Sequence, residues 1–423
     1  MSKKPEGVRL DMDNIIDKYV IEFTDVKYFN RKEVMYHLNT RNTIGEVWPN
    51  LLEYRKQRSI EVTFKDQHGQ PFWFVLTDAI KTRLENIDYE AVKNVFDYFD
   101  DKTQHITILN ALIDEAFFSS VIEGAFSTKK KTDEMITKKL KPANKSEQMI
   151  MNNYLALDYI LENLSASIDE KMILNIFNIV TTDTLDPEDT VEKYRNDAVY
   201  VMNGMGDRVI YTPPPYSDVQ NLMAELVSFI NTEDGKHPVI KACIIHFYFV
   251  YIHPFFDGNG RTARAISYMY LLKNGYNFFK FFSISSVINE EKQKYYKAIK
   301  DTEDYDADLT YFIDFYSRMI VSSISRITKS FAKEFRRQIV QSFLEKKSII
   351  LSKRQKKFID FYIRDNKDFI STEDYKRKFR VAYETSRTDL NQLAEYGLLN
   401  KSKQGKKYIY RLLDSSEISA ILS

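Results

Sequence analysis

The sequence predicts a mainly α protein with a mixed α/β segment at its N-terminal end and a small basic module at its C-terminal end. Three observations carry that prediction. From about 103 to 345, apolar residues recur at three- and four-residue spacing. Two short apolar runs, at 59–64 and 71–76, flank a polar loop and read as strands. Beyond Lys353 the charge balance turns strongly positive.

Residues 1–102 are the mixed segment. Ser59–Phe64 and Pro71–Leu76 pair as a hairpin around Asp66-Gln67-His68-Gly69-Gln70, and 78–98 return to helical spacing. Residues 103–345 form the helical core, with segments near 104–123, 146–164, 168–183, 217–232, 238–252, 261–273, 290–300 and 308–345. Within it, 194–216 holds Tyr, Val, Gly and three consecutive prolines, a composition for an exposed hairpin and loop. The lysine-rich stretch 127–145 reads as a solvated loop, with an acidic partner as the alternative. Residues 350–423 are the third unit. From Lys353 to Arg411 there are sixteen Lys and Arg against eight Asp and Glu, about +8, in a chain whose net charge is +1.

That near-neutral total excludes a chain that coats nucleic acid over its whole length, while leaving room for a local basic module. Aromatic residues reach 14%, which excludes a largely disordered chain. The single cysteine, Cys243, excludes a disulfide framework and fits a reducing compartment. The start carries no apolar leader, and the most apolar run, Ala242–Ile252, is too short for a bilayer. A cytoplasmic protein without a membrane role is expected.

The chemistry concentrates in His253-Pro254-Phe255-Phe256-Asp257-Gly258-Asn259-Gly260-Arg261-Thr262-Ala263-Arg264. The preceding helix is apolar almost all round, so it is buried. Pro254 disfavours helical backbone at His253 and ends that helix. Gly258-Asn259-Gly260 then opens a second helix, and a glycine-bearing turn at a helix N-terminus is an anion site. Arg261 and Arg264 share a face of its first turn, where cations are unfavourable unless an anion is bound. A polyphosphate fits best. Asp257 supplies a hard oxygen ligand for Mg²⁺ on a nucleotide. His253 can act as a general base near neutral pH. No P-loop and no HExxH pattern occurs.

This stretch closely resembles the Fic family signature HxFx(D/E)GNGRxxR, matching at His253, Phe255, Asp257, Gly258, Asn259, Gly260, Arg261 and Arg264. The resemblance implies an all-α Fic core with a small β-hairpin flap, and transfer of AMP from ATP to a Ser, Thr or Tyr hydroxyl of a target protein, itself included. His253 would be the base and Asp257 the Mg²⁺ ligand. Gly258, Asn259 and Gly260 would line the phosphate site, and Arg261 and Arg264 would bind phosphates. A Doc-like kinase variant has Lys where this chain has Gly260, so adenylylation is favoured over phosphorylation. Tyr295 and Tyr296 match a paired tyrosine at the adenine pocket. The hairpin near Tyr194–Pro215 would be the target-docking flap, with Val209, Ile210 and Tyr211 as its edge. His246 reads as a core histidine. A homodimer is the expectation by resemblance.

Ser119-Ser120-Val121-Ile122-Glu123-Gly124 resembles the family's (S/T)xxxE(G/N) inhibitory motif, in the class with an N-terminal inhibitory helix. Ser119 and Glu123 share a helix face, and Gly124 is a helix stop. The resemblance implies that Glu123 pairs with Arg264 and keeps ATP unproductive. Residues 353–412 read helix, short helix, helix, hairpin, and resemble a winged helix with 383–396 as recognition-type helix and 400–411 as wing. DNA or a protein would be its partner. Two alternatives remain open at this stage: a DNA-binding regulator with a nucleotide-sensing core, and an enzyme that removes AMP.

Overall fold

The computed structural model describes residues 18–38, 44–93, 100–202, 209–365, 369–405 and 407–412. Contacts divide the chain into two compact units, Met1–Ile324 and Ser325–Ser423.

In the first unit, α1 (Arg31–His37) and α2 (Ile44–Gln57) precede the hairpin β1 (Ser59–Lys65) and β2 (Pro71–Val75), followed by α3 (Asp78–Lys93). The strands are antiparallel, Ser59 opposite Val75 and Glu61 opposite Trp73, with an irregularity before Lys65. Phe64 stacks on Tyr248, ring centroids 3.7 Å apart. Trp73 is buried; its Nε1 donates to Asp306 O at 2.6 Å, and its own carbonyl accepts from Leu309 N at 2.8 Å. Arg55, fully buried, donates to the carbonyls of Phe23 and Phe29 and to Tyr311 OH. The expected boundary near 102 is therefore not a packing boundary. The hairpin shows too little apolar area to bury its own face and covers it on the helical core.

The core follows. α4 (Asp101–Ile122), α5 (Lys129–Thr137), α6 (Lys145–Glu162) and α7 (Glu170–Thr181) lead to the hairpin β3 (Val201–Met202) and β4 (Val209–Tyr211). Then come α8 (Val219–Asn231), α9 (Pro238–Ile252), α10 (Asn259–Lys273), α11 (Ile284–Glu290), α12 (Lys292–Asp304) and α13 (Thr310–Lys346). α9 and α10 form the centre and are buried on nearly every face. Among the described residues α4 is long and apolar enough to cross a membrane; here it packs between α6 and α11. Glu115 on α4 accepts hydrogen bonds from Ser283 Oγ (2.7 Å) and Ser285 N (3.0 Å) at the N-terminus of α11, which fixes its position along the core.

The lysine-rich stretch is not a plain loop. Thr128 caps α5 through Lys131 N, and Lys129, Lys131 and Lys145 pair with Asp114, Glu147 and Asp186. Three of the seven lysines of the stretch thus have acidic partners within the fold.

The break between units falls inside α13, earlier than the expected 345–352. In the second unit α14 (Lys353–Asp365), β5 (Ile370–Ser371), α15 (Thr372–Phe379) and α16 (Tyr383–Glu395) precede β6 (Leu399–Gln404) and β7 (Lys407–Leu412). The sheet order is β5-β7-β6. Asp389 on α16 is nearly buried; it accepts from Arg354 Nη2 at 3.0 Å and Tyr375 OH at 2.8 Å, joining three helices. Lys406, in the basic turn of the expected wing, and 413–423 lie outside the described residues.

Candidate active site

α9 ends on His253, whose backbone is left-handed (φ 51°, ψ 59°) and whose N–H donates to Phe249 O at 3.0 Å. The proline that follows forbids another helical turn. Nδ1 lies 3.4 Å from Val250 O. Donation from Nδ1–H to that carbonyl leaves Nε2 as the proton acceptor. Burial lowers the imidazole pKa to about 4, so the ring is neutral at physiological pH.

The loop after it is shaped by packing and by one side chain. Phe255 is fully buried and stacks on Phe177 with centroids 3.4 Å apart. Asn259 closes the loop into a ring: its Oδ1 accepts from Phe255 N at 3.0 Å and its Nδ2 donates to Phe255 O at 2.8 Å. Its side chain therefore builds the loop, which leaves its main-chain N–H for the expected anion site. Gly258 has φ 84°, and a Cβ there would stand 2.7 Å from Thr181 Cγ2. Backbone and space both require glycine.

Arg264, almost fully buried, donates from Nε to Ser119 Oγ, and from Nη2 to Ser119 O and Glu123 Oε1, each at 2.8 Å. Its Nη1 is buried and has no hydrogen-bond partner among the described residues. An anion with a second acceptor oxygen would complete it. Glu123 is the C-cap of α4, and Gly124 behind it has φ 94°. A Cβ on Gly260 would stand 2.0 Å from Glu123 Oε1 and 3.2 Å from Arg264 Nη1. The carboxylate thus lies against the first turn of α10, where an anion belongs. Burial raises its pKa, but Arg264 first, then Arg261 and Lys292, bring it below the ordinary value. It is ionised at neutral pH.

Arg261 differs from expectation. It is fully buried, donates to Val180 O at 3.1 Å, and reaches Asp257 Oδ2 at 3.4 Å. One turn from Asp257 and beneath α7, it ties the loop to the core, while its Nε is buried without a hydrogen-bond partner among the described residues. Asp257 is half exposed, and its Oδ1 accepts from Gly258 N at 2.5 Å. No cluster of three or more His, Cys, Asp or Glu able to hold a metal occurs among the described residues. A hard divalent ion here would take its remaining oxygens from nucleotide phosphates, as Mg²⁺ commonly does, so the donor set fits.

The paired tyrosines separate. Tyr295 is in the core, its OH 2.9 Å from Nε2 of the fully buried His246. Tyr296 is partly exposed and donates to Ile122 O at 3.1 Å, at the end of α4. Tyr296 borders the site at the end of α4, and Tyr295, though buried, lies beside Arg264. At the hairpin, Val209 and Ile210 are exposed, whereas Tyr211 turns in and donates to Tyr251 O at 2.7 Å. The tip, 203–208, lies outside the described residues.

Sequence reasoning missed Arg195. It donates from Nε to His253 O at 2.9 Å, from Nη1 to Asp197 O at 3.1 Å, and from Nη2 to Pro214 O. Its own N–H donates to Pro254 O. It joins His253 and Pro254 to the base of the β3–β4 hairpin. All these partners are main-chain carbonyls, so no side-chain pattern announces it.

A histidine and a glycine-bearing turn thus share one loop of a helical domain, with a carboxylate seated against the turn. Residues 167–271 match the Fic/DOC family. The matched segment holds both His253 and the turn that follows it. A protein adenylyltransferase Fic of Drosophila ananassae is 29% identical over 203 residues, covering 45% of this chain and 38% of that protein. The Drosophila melanogaster protein of the same name is 28% identical over the same shares. The chain thus spans about two-fifths of the length of the curated relatives it matches. Among solved structures, a Fic family protein from Desulfovibrio desulfuricans G20 aligns with TM-score 0.50 at 20% identity, over 80% of this chain and 97% of that one. Fic-1 from C. elegans aligns with TM-score 0.52 at 16% identity, over 76% and 84%. At such identities the likeness concerns the fold.

Proposed function

We propose that this chain is a protein adenylyltransferase held inactive by its own Glu123. The observation that carries the reading is the seat of that carboxylate, 2.8 Å from Arg264 Nη2 and against Gly260. In the active form Glu123 is displaced. The terminal phosphate of ATP then meets Arg264, and the inner phosphates meet the main chain of 258–260. A target hydroxyl gives its proton to His253 Nε2 while its oxygen attacks the α-phosphorus. The bond to the β-phosphate oxygen breaks, pyrophosphate leaves, and the target carries AMP as a phosphodiester. Mg²⁺, with Asp257 as its protein ligand, supplies charge neutralisation on the phosphates. The β3–β4 hairpin docks the target segment by strand addition.

The experiment uses α-³²P-labelled ATP, Mg²⁺ and a cell lysate. Strong label on protein with Glu123→Gly, weak label with wild type and none with Glu123→Gly/His253→Ala is expected. If Glu123→Gly labels no more than wild type, auto-inhibition is wrong; if neither labels, transfer itself is wrong.

For the second unit we propose contact with DNA. The observation that favours it concerns Asp389, an acidic residue in the middle of α16, whose charge is held inside by Arg354 and Tyr375. Arg387 on that helix and Lys401, Lys403 and Lys407 on β6 and β7 are exposed. Anisotropy of a labelled duplex with the full chain, over a range of salt, tests this. Binding that weakens steeply with salt is expected. No binding at low salt refutes it.

A further inference from the structure

We propose that Gln67, at the tip of the β1–β2 hairpin, is a positioning residue for target docking, and that the N-terminal segment is the strut holding β3–β4 in register with His253. The inference rests on the adenylyltransferase reading, and deepens it by assigning a task to a segment outside the matched family region.

The need for a strut follows from the size of the docking hairpin. Its paired stretch is two strands of two and three residues with a register irregularity. A two-stranded ribbon of that length does not hold its own position in water. It must be fixed at its base. Three contacts do this. Arg195, bonded through Nε to His253 O, reaches Pro214 O through Nη2. Tyr211 OH donates to Tyr251 O at 2.7 Å. Gln67 Nε2 donates to Thr212 O at 2.9 Å, at the residue that follows β4.

Gln67 makes a second long-range bond. Its main-chain N–H donates to Tyr251 OH at 2.9 Å. Tyr251 lies two residues before His253 on α9. One residue of the N-terminal segment therefore grips the end of the docking strand and the helix that delivers the base. Gln67 is itself exposed, so core packing does not account for it. Its own base is firm: Phe72 packs edge-on against Tyr251 at 5.1 Å, and Asp66 Oδ1 accepts from His68 N and Gln70 N at 2.8 Å each, which fixes the tip. An attack geometry tolerates little displacement of either partner, since about 1 Å of misplacement costs up to about 10²-fold in rate.

The test compares Gln67→Ala and Gln67→Glu in the Glu123→Gly protein. Both keep the main-chain bond to Tyr251; both lose the donor to Thr212, the glutamate while keeping the length. Amide exchange of 209–212 should quicken about fivefold in both, with the rest of α9 unchanged. Label on lysate proteins should fall about tenfold, while MgATP affinity by calorimetry stays within about twofold. Unchanged exchange at 209–212 overturns the proposal, as does a loss of label matched by an equal loss of ATP affinity. The exchange measurement needs no turnover. Faster exchange in a chain that labels nothing would keep the strut and refute the transferase reading.

Discussion

Glu123 Oε1 lies 2.8 Å from Arg264 Nη2 and 2.0 Å from where a Cβ on Gly260 would stand. One carboxylate thus pairs with the guanidinium and lies against the first turn of α10. An incoming nucleotide competes with an interaction that is intramolecular, buried and charge-assisted. The carboxylate comes from the C-cap of α4, so under the proposed auto-inhibition a change at one helix end would suffice to withdraw it.

Glu123→Gly removes the lock and leaves both Ser119 bonds to Arg264 intact. Transfer should rise by about tenfold or more, on the scale of one buried charged hydrogen bond. MgATP affinity should rise as well, because the binding-competent fraction increases. Radiolabel transfer and calorimetry measure the two.

Gly260→Ala separates displacement from activation. The added methyl cannot coexist with Glu123 in its present position. It also occupies the anion place itself. The expected protein has a broken Glu123–Arg264 pair, poor MgATP binding and no gain in transfer. High activity in this variant would show that displacement alone is sufficient.

Ser119→Ala deprives Arg264 Nε of its acceptor while Ser119 O still holds Nη2. A buried donor left unpaired costs about 1–3 kcal/mol. Denaturant unfolding should show that loss, and basal transfer should rise less than in Glu123→Gly.

The pH profile of transfer reports on His253. A histidine is an effective base only above its pKa, and burial holds this one at about 4. Transfer by Glu123→Gly at pH 5.5 should equal that at pH 7.5. A free imidazole with pKa near 6.5 would instead lose about tenfold. Loss of the Glu123 charge shifts His253 further down, so the comparison is not reversed by the activating substitution.

Glu303 sets a second pH dependence, on stability. Burial raises its pKa to about 8, with Lys300 opposing and Asp304 adding, and its Oε1 has no partner among the described residues. The folded state therefore holds a proton that the unfolded state releases near pH 4.5. Its contribution is complete below that pH and is lost as pH rises through 8, by at most about 1.4 kcal/mol per unit. Thermal unfolding from pH 5 to 9 should show the decline in wild type and a flatter profile in Glu303→Gln.

Much of this was legible in the sequence, and what escaped shares one cause. The helices of the core, the β1–β2 hairpin and the loop from His253 to Arg264 follow from local period, caps and turn residues. The Glu123–Arg264 pair was legible through the motif at Ser119–Gly124. Arg261 was assigned to phosphate on its residue type and its face of the helix; its bond to Val180 O belongs to packing that no spacing encodes, as does the ring that Asn259 closes on the main chain of Phe255. Tyr295 and Tyr296 are adjacent in sequence, yet successive helical positions face different surroundings, and one is core. Arg195 and Gln67 act on backbone carbonyls far along the chain, so their roles exist only once the fold does.

The way the N-terminal hairpin seats on α9 bears on how this protein can be cut and recombined. Phe64 covers Tyr248, Phe72 covers Phe247 and Tyr251, and the backbone of Trp73 is paired with the segment leading into α13. A fragment begun near residue 100 would expose a contiguous aromatic face on the helix that ends at His253. The helical region here is not a transplantable cassette: recombinant fragments and chimaeras that keep the first strand pair should remain soluble, and those joined at the edge of the matched family segment should aggregate.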